Sequence, residues 1–183
     1  YFNKLYKGSW NSNTIISMAI GQGELLLTPI QMANLTAIIA NRGFYYTPHI
    51  IKKIEGEDTI DSSFTIKKFS TIKPEFFPPI IEAMNQVTEG NEGTAKNGRI
   101  DGIEICGKTG TAQNPHGDDH SIYIAFAPKE NPKIAIAVYV ENGGWGSKWA
   151  VPIGTLLIEK YLKKNISNKS QENFILNSKI NTL

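Results

Sequence analysis

One cysteine, Cys106, stands among 183 residues, so no disulfide can close within the chain. Its place beside Ile105 in the strand-like run "IEIC" suits a small buried residue rather than a reactive one. Long apolar stretches are also missing: nothing approaches the roughly 20 residues needed to cross a bilayer. The opening "YFNKLYKGSW" lacks the features of a signal peptide, so any targeting element is expected outside this sequence. There is no excess of one charge. Nineteen basic and 17 acidic residues leave a formal +2, too little field to attract a nucleic acid, and none is expected as a partner. No repeat recurs at a solenoid period. An initiator methionine is lacking too, as expected of a processed product or a piece of a longer chain.

What is present is enough apolar material for one real core, 40% hydrophobic with 10% aromatic. After a mixed stretch over residues 1–27, Thr28-Pro29-Ile30-Gln31 reads as a capping box with proline at the first helical position. A helix is predicted from there to Gly43. It is apolar on most sides and therefore expected to be buried. Residues 44–73 read as short strands and turns. Phe77, Ile80, Ile81, Met84 and Val87 fall at helical spacing and predict a second helix ending at Glu89-Gly90. The period then changes. Ile103–Gln113, Ser121–Ala127 and Ile134–Val140 alternate as strands, and the short connections predict one antiparallel sheet with the first strand at an exposed edge. A terminal helix is expected from about Ala150, with Val151, Gly154, Leu157, Ile158 and Tyr161 on one face. The tail, residues 165–183, is polar and asparagine-rich and is expected to lack fixed structure.

Lys108 admits two readings. Gly102 to Thr109 fits the phosphate-loop pattern of glycine, four residues, then Gly-Lys-Thr, which would make the chain a nucleotide binder. That loop must run straight into a helix whose N-terminus binds the anion, yet the four middle residues alternate as in a strand and "GTAQNPHGDD" follows. The second reading places Lys108-Thr109-Gly110-Thr111 on an edge strand beside a cleft. The Thr109 and Thr111 hydroxyls can bind a carboxylate, the Thr111 N–H can stabilise an oxyanion, Gly110 lets a ligand lie close, and Lys108 adds a fixed positive charge.

On that reading the sequence resembles the penicillin-binding protein and serine β-lactamase superfamily, whose third motif is Lys-Thr-Gly on such a strand. "GKTGTAQNPHG", "DHSIYIAFAP" and "GQGELLLTPIQMAN" are similar to the transpeptidase domain of class B penicillin-binding proteins, particularly the elongation type, penicillin-binding protein 2. The similarity runs from about Asn11 to about Leu162. It implies a mixed α/β (α+β) fold, helices packed on an antiparallel sheet, with residues 1–164 as the C-terminal part of such a domain. The family orders its motifs as Ser-x-x-Lys, Ser-x-Asn, Lys-Thr-Gly. Here the only Ser-x-x-Lys is Ser70 to Lys73 and the only Ser-x-Asn is Ser9 to Asn11, in the wrong order. Ser70 is also too close to Lys108 to leave room for a nucleophile helix and the second motif. Pro74 is a better start for the next helix than Lys73 is a partner for Ser70. The nucleophile is therefore expected upstream of Tyr1, and this chain alone is expected to be inactive.

The resemblance implies a peptidoglycan D,D-transpeptidase that acts on stem peptides, is trapped by β-lactams, needs no cofactor, works with a membrane glycosyltransferase, and sits on the bacterial cytoplasmic membrane through an upstream segment, facing the wall. A β-lactam sensor or wall-synthesis scaffold is the non-catalytic alternative. His116, Asp118, Asp119 and His120 in "HGDDH" could suggest a metal, but their spacing fits no metal motif and a polar inter-strand loop explains them. "GNEGTAKNG", residues 90–98, could be a phosphate cradle, but the resemblance implies a flexible approach to the motif strand. Trp145 and Trp149 could stack a carbohydrate or cap a core.

Overall fold

The computed structural model describes residues 1–56 and 60–180. Among the described residues seven α-helices and five strands follow in order: α1 (Phe2–Leu5), α2 (Ser12–Ala19), α3 (Pro29–Ala40), β1 (Phe44–Tyr45), α4 (Ser62–Thr65), β2 (Lys68–Phe69), α5 (Phe77–Glu89), β3 (Cys106–Ala112), β4 (His120–Ala127), β5 (Ile134–Val140), α6 (Ala150–Lys163) and α7 (Lys169–Asn177). β1 and β2 form a small antiparallel pair. The other three strands form one antiparallel sheet in the order β3-β4-β5. Register pairs Thr109 with Tyr123 and Tyr123 with Val138, so one layer of side chains crosses the whole sheet.

The pleat divides that sheet into two working faces. Tyr123, Ala125 and Val138 point to one side and pack with Val151 and Ile158 of α6. Cys106 and Phe126 point to the other and pack with Ala40 of α3 and Phe77, Ile81 and Met84 of α5. Helices thus cover both faces. Gly154 of α6 is required by this approach, because a Cβ there would lie 2.8 Å from Tyr123 Cδ1 and Ile136 Cδ1.

α3 begins as its sequence requires: Thr28 Oγ1 accepts from Gln31 N at 3.4 Å while Gln31 Oε1 accepts from Thr28 N at 2.8 Å. It is not buried all round, however. Only Thr36 and Ala40 are buried, and Ile30 and Leu35 face outward, because one helix laid on a sheet covers one stripe of its surface. The α6 face also departs from expectation. Val151, Gly154 and Ile158 are buried with Thr155 and Glu159, whereas Leu157 and Tyr161 are each about half exposed. The first sheet strand starts at Cys106, since Asp101 and Gly102 form a turn closed by the Ile100–Ile103 bridge, with Gly102 at φ +75°.

The tail is structured too over residues 169–177, contrary to expectation, while 181–183 lie outside the described residues. Asn168 caps α7 by accepting from Gln171 N at 3.0 Å, and Phe174 stacks on Trp149 with ring centroids 5.3 Å apart. Buried Glu159 accepts from Ser167 N at 3.0 Å and from Ser167 Oγ at 2.5 Å, tying the tail to α6. Among the described residues no helix is long and apolar enough to cross a membrane.

Candidate active site

Gly107 lets the motif strand pass close over Tyr123. It pairs with Ala125, and a Cβ on it would collide with the ring and hydroxyl of Tyr123. From there β3 carries Lys108, Thr109, Gly110 and Thr111 along an edge that has no further strand among the described residues. On such an edge alternate backbone N–H and C=O groups point outward, free to bind a ligand. Lys108 and Gly110 lie on the α3/α5 face and Thr109 and Thr111 on the α6 face, so the four meet only at the free edge.

Each side chain has a defined neighbour. The Lys108 ammonium is exposed and donates to Thr109 O at 2.8 Å. Thr109 Oγ1 lies 2.8 Å from Thr94 Oγ1. Thr111 Oγ1 accepts from Gly146 N at 3.4 Å, keeping its own proton to donate. Gly146 is pressed against the strand backbone, since a Cβ there would stand 2.6 Å from the carbonyl oxygens of Gly110 and Ile122. A groove of about 530 Å³ runs beside Lys108 between the end of α5 and the loop through Thr94. The surface is therefore a positive charge, two hydroxyls and outward backbone groups along one strand, suited to an extended anionic ligand.

β3 runs as strand through Lys108 and pairs up to Ala112, so no helix starts at Thr109 and no phosphate loop exists here. Neither candidate serine stands with a base. Ser70 N donates to Gly43 O at 2.8 Å in a turn after β2, and Lys73 precedes a 3₁₀ turn at Pro74–Phe76. Ser9 Oγ donates to Tyr6 O, while Asn11 caps α2. Cys106 is fully buried, and loss of solvent pushes its thiol up to about 12, so it has neither the exposure nor the thiolate character of a nucleophile.

The "HGDDH" residues hold a loop together. Asn114 N donates to Asp119 Oδ1 at 3.2 Å and Asn142 N donates to His120 Nδ1 at 3.2 Å. Among the described residues no three His, Cys, Asp or Glu side chains are grouped to hold a metal ion. Residues 90–98, expected to be a flexible approach, are instead pinned. Ala95 is fully buried with its N–H on Val87 O at 2.9 Å, and Arg99 donates to the carbonyls of Thr88, Glu89 and Gly90 at 2.6–2.8 Å. Thr94 escaped the sequence reading because its partner is 15 residues away and chosen by tertiary packing. The one local signal was small residues, Gly93 and Ala95, on either side of it.

The family model of the penicillin-binding protein transpeptidase domain matches residues 3–159. The chain belongs to that family. Peptidoglycan D,D-transpeptidase MrdA of Haemophilus influenzae is 31% identical over 194 aligned positions, covering 96% of this chain and 30% of the relative. Among solved structures, Pseudomonas aeruginosa PBP2 in complex with WCK 5153 superposes with a TM-score of 0.75 at 32% identity, covering 92% of this chain and 37% of that one. An imipenem acyl-enzyme complex of penicillin-binding protein A from M. tuberculosis gives a TM-score of 0.70 at 34% identity, covering 83% and 34%. The chain thus spans about a third of the length of the curated relatives it matches.

Proposed function

We propose that this chain forms the carboxylate-binding wall and one oxyanion donor of a peptidoglycan D,D-transpeptidase whose nucleophilic serine, its lysine and the Ser-x-Asn motif come from sequence preceding Tyr1. The observation that carries the proposal is the edge of β3, where an exposed lysine and two hydroxyls line a strand that has no further strand on its outer side among the described residues. The share of the relatives that this chain spans supports it, as does the failure of Ser9 and Ser70 to meet any base.

The serine attacks the penultimate D-alanine carbonyl of a stem peptide. The oxyanion that forms accepts from the Thr111 N–H, while Thr109 and Thr111 hydroxyls hold the terminal carboxylate and Lys108 supplies a fixed positive charge beside the nucleophile. The C–N bond then breaks and D-alanine leaves with a proton. An amine of a neighbouring stem attacks the acyl-serine, forming the cross-link and returning the serine. A β-lactam carries an equivalent carboxylate and stops at the acyl stage. The parent protein is anchored in the cytoplasmic membrane by an upstream helix, faces the wall, and works beside a membrane glycosyltransferase.

Mass spectrometry after penicillin treatment tests the assignment. The full-length protein is expected to carry the adduct on a serine preceding Tyr1, and the isolated chain to carry none. A stable adduct on Ser9 or Ser70 would contradict it.

A further inference from the structure

We propose that Thr94 is a positioning residue for substrate binding: its hydroxyl donates to Thr109 Oγ1 and so commits the Thr109 proton to the carboxylate of the bound substrate. The inference rests on the reading of Thr109 as a carboxylate ligand. The two oxygens are 2.8 Å apart, and geometry alone allows either to be the donor. Chemistry decides it once an anion is present. A carboxylate only accepts, so Thr109 must spend its single proton on it, and the remaining bond to Thr94 can then exist only if Thr94 donates. A chain of two hydroxyls aligned this way polarises the terminal O–H toward the anion.

The loop is built to hold that hydroxyl still. A Cβ on Gly93 would collide with Val87 O and lie 2.7 Å from Gln86 O, so glycine lets the chain turn tightly off the end of α5. Ala95 buries itself and fixes the position following Thr94, Arg99 grips three carbonyls at the end of α5, and a Cβ on Gly98 would lie 2.6 Å from Thr155 Cγ2 of α6. Thr94 itself is exposed and lines the groove beside Lys108. A hydroxyl pair open to water adds little to stability, because water replaces either partner at small cost. Such scaffolding around a bond of little stabilising worth makes sense if the bond acts when a ligand displaces that water.

The test uses the full-length protein and four variants, Thr94→Val, Thr94→Ser, Thr109→Val and the valine pair, assayed for acylation by a penicillin with a free carboxylate and by its methyl ester, with melting temperature alongside. Thr94→Val is expected to slow acylation by the acid roughly 2- to 10-fold, the worth of one neutral hydrogen bond. Its effect on the ester should stay within about twofold on the same scale. Thr94→Ser should restore the rate, the double variant should be no slower than Thr109→Val alone, and melting temperature should not move. Unchanged acylation by Thr94→Val beside a slow Thr109→Val would overturn the role of Thr94 and leave the carboxylate reading standing. Equal losses on acid and ester with a lowered melting temperature would make Thr94 merely structural. Wild-type rates in Thr109→Val would bring down both readings.

Discussion

Before Lys73 the only buried residues among those described are Thr36, Ala40 and Gly43, whereas β4 alone buries Ser121, Tyr123, Ala125, Phe126 and Ala127. The first region leaves Ile16, Ile20, Leu26, Ile30 and Ile50 more than half exposed; the second sandwiches its sheet between α5 and α3 on one face and α6 on the other. Large apolar side chains exposed in such number are what the proposed upstream part of the domain would cover. The difference teaches where the site's rigidity comes from. Lys108 to Thr111 stand on the well-packed half, so the proposed substrate wall is shaped by contacts this chain makes itself.

Substitutions at the centre of the packed half should have the largest effect. Tyr123 is fully buried, closes on Gly107 and Gly154, and places its hydroxyl 3.5 Å from Thr88 Oγ1; Tyr123→Ala should destabilise by about 3–5 kcal/mol in denaturant unfolding. A loss below about 1 kcal/mol would mean that the sheet is not the stable half. Arg99→Ala comes next. It removes three bonds to the carbonyls that end α5 and should cost about 1.5–3 kcal/mol, with faster hydrogen exchange over residues 90–98 as the specific readout.

Acid sharpens the boundary at the other end. Burial works to raise the Glu159 carboxyl, but the Ser167 hydroxyl and N–H and the Lys163 ammonium together outweigh it and leave it below the ordinary glutamate range. A depressed folded value means stability that is present above the unfolded pKa and lost as pH falls through the folded one. The melting temperature should therefore fall on acidification from about pH 4.3 downward, and Glu159→Gln should flatten that part of the profile. The smallest effect belongs to the exposed half: Leu26→Ala should change the isolated chain by no more than about 0.5 kcal/mol. In the full-length protein the same change should cost about 2 kcal/mol or more if that surface is covered there.

Much of this was legible where the chemistry is local. Thr28 and Gln31 announce their helix because a capping box needs only four consecutive residues, and alternation from Ser121 to Ala127 needs only a sheet with two covered faces. Asn168-Lys169-Ser170-Gln171 carries the same kind of signal inside a polar, asparagine-rich composition that argues against a helix. The α6 face could not be read, since Leu157 is as apolar as Val151 and Ile158 and Tyr161 adds a large ring, and only the position of the sheet decides which stripe is covered. Within the site, Lys108, Thr109 and Thr111 stood out through the motif. Thr94 did not, because a hydroxyl becomes informative only when the fold brings it to another hydroxyl.

The central claim is that the free edge of β3 binds the substrate carboxylate, and replacing Thr109 by valine in the full-length protein keeps the shape while deleting the hydroxyl. Loss of one donor to a charged group is worth about 1.5–3 kcal/mol, so the second-order acylation constant for a penicillin should fall roughly 10- to 150-fold at unchanged melting temperature. Ser70→Ala, in a turn with no base, should acylate as the unsubstituted protein does. Abolished acylation in Ser70→Ala beside an intact rate in Thr109→Val would contradict the account.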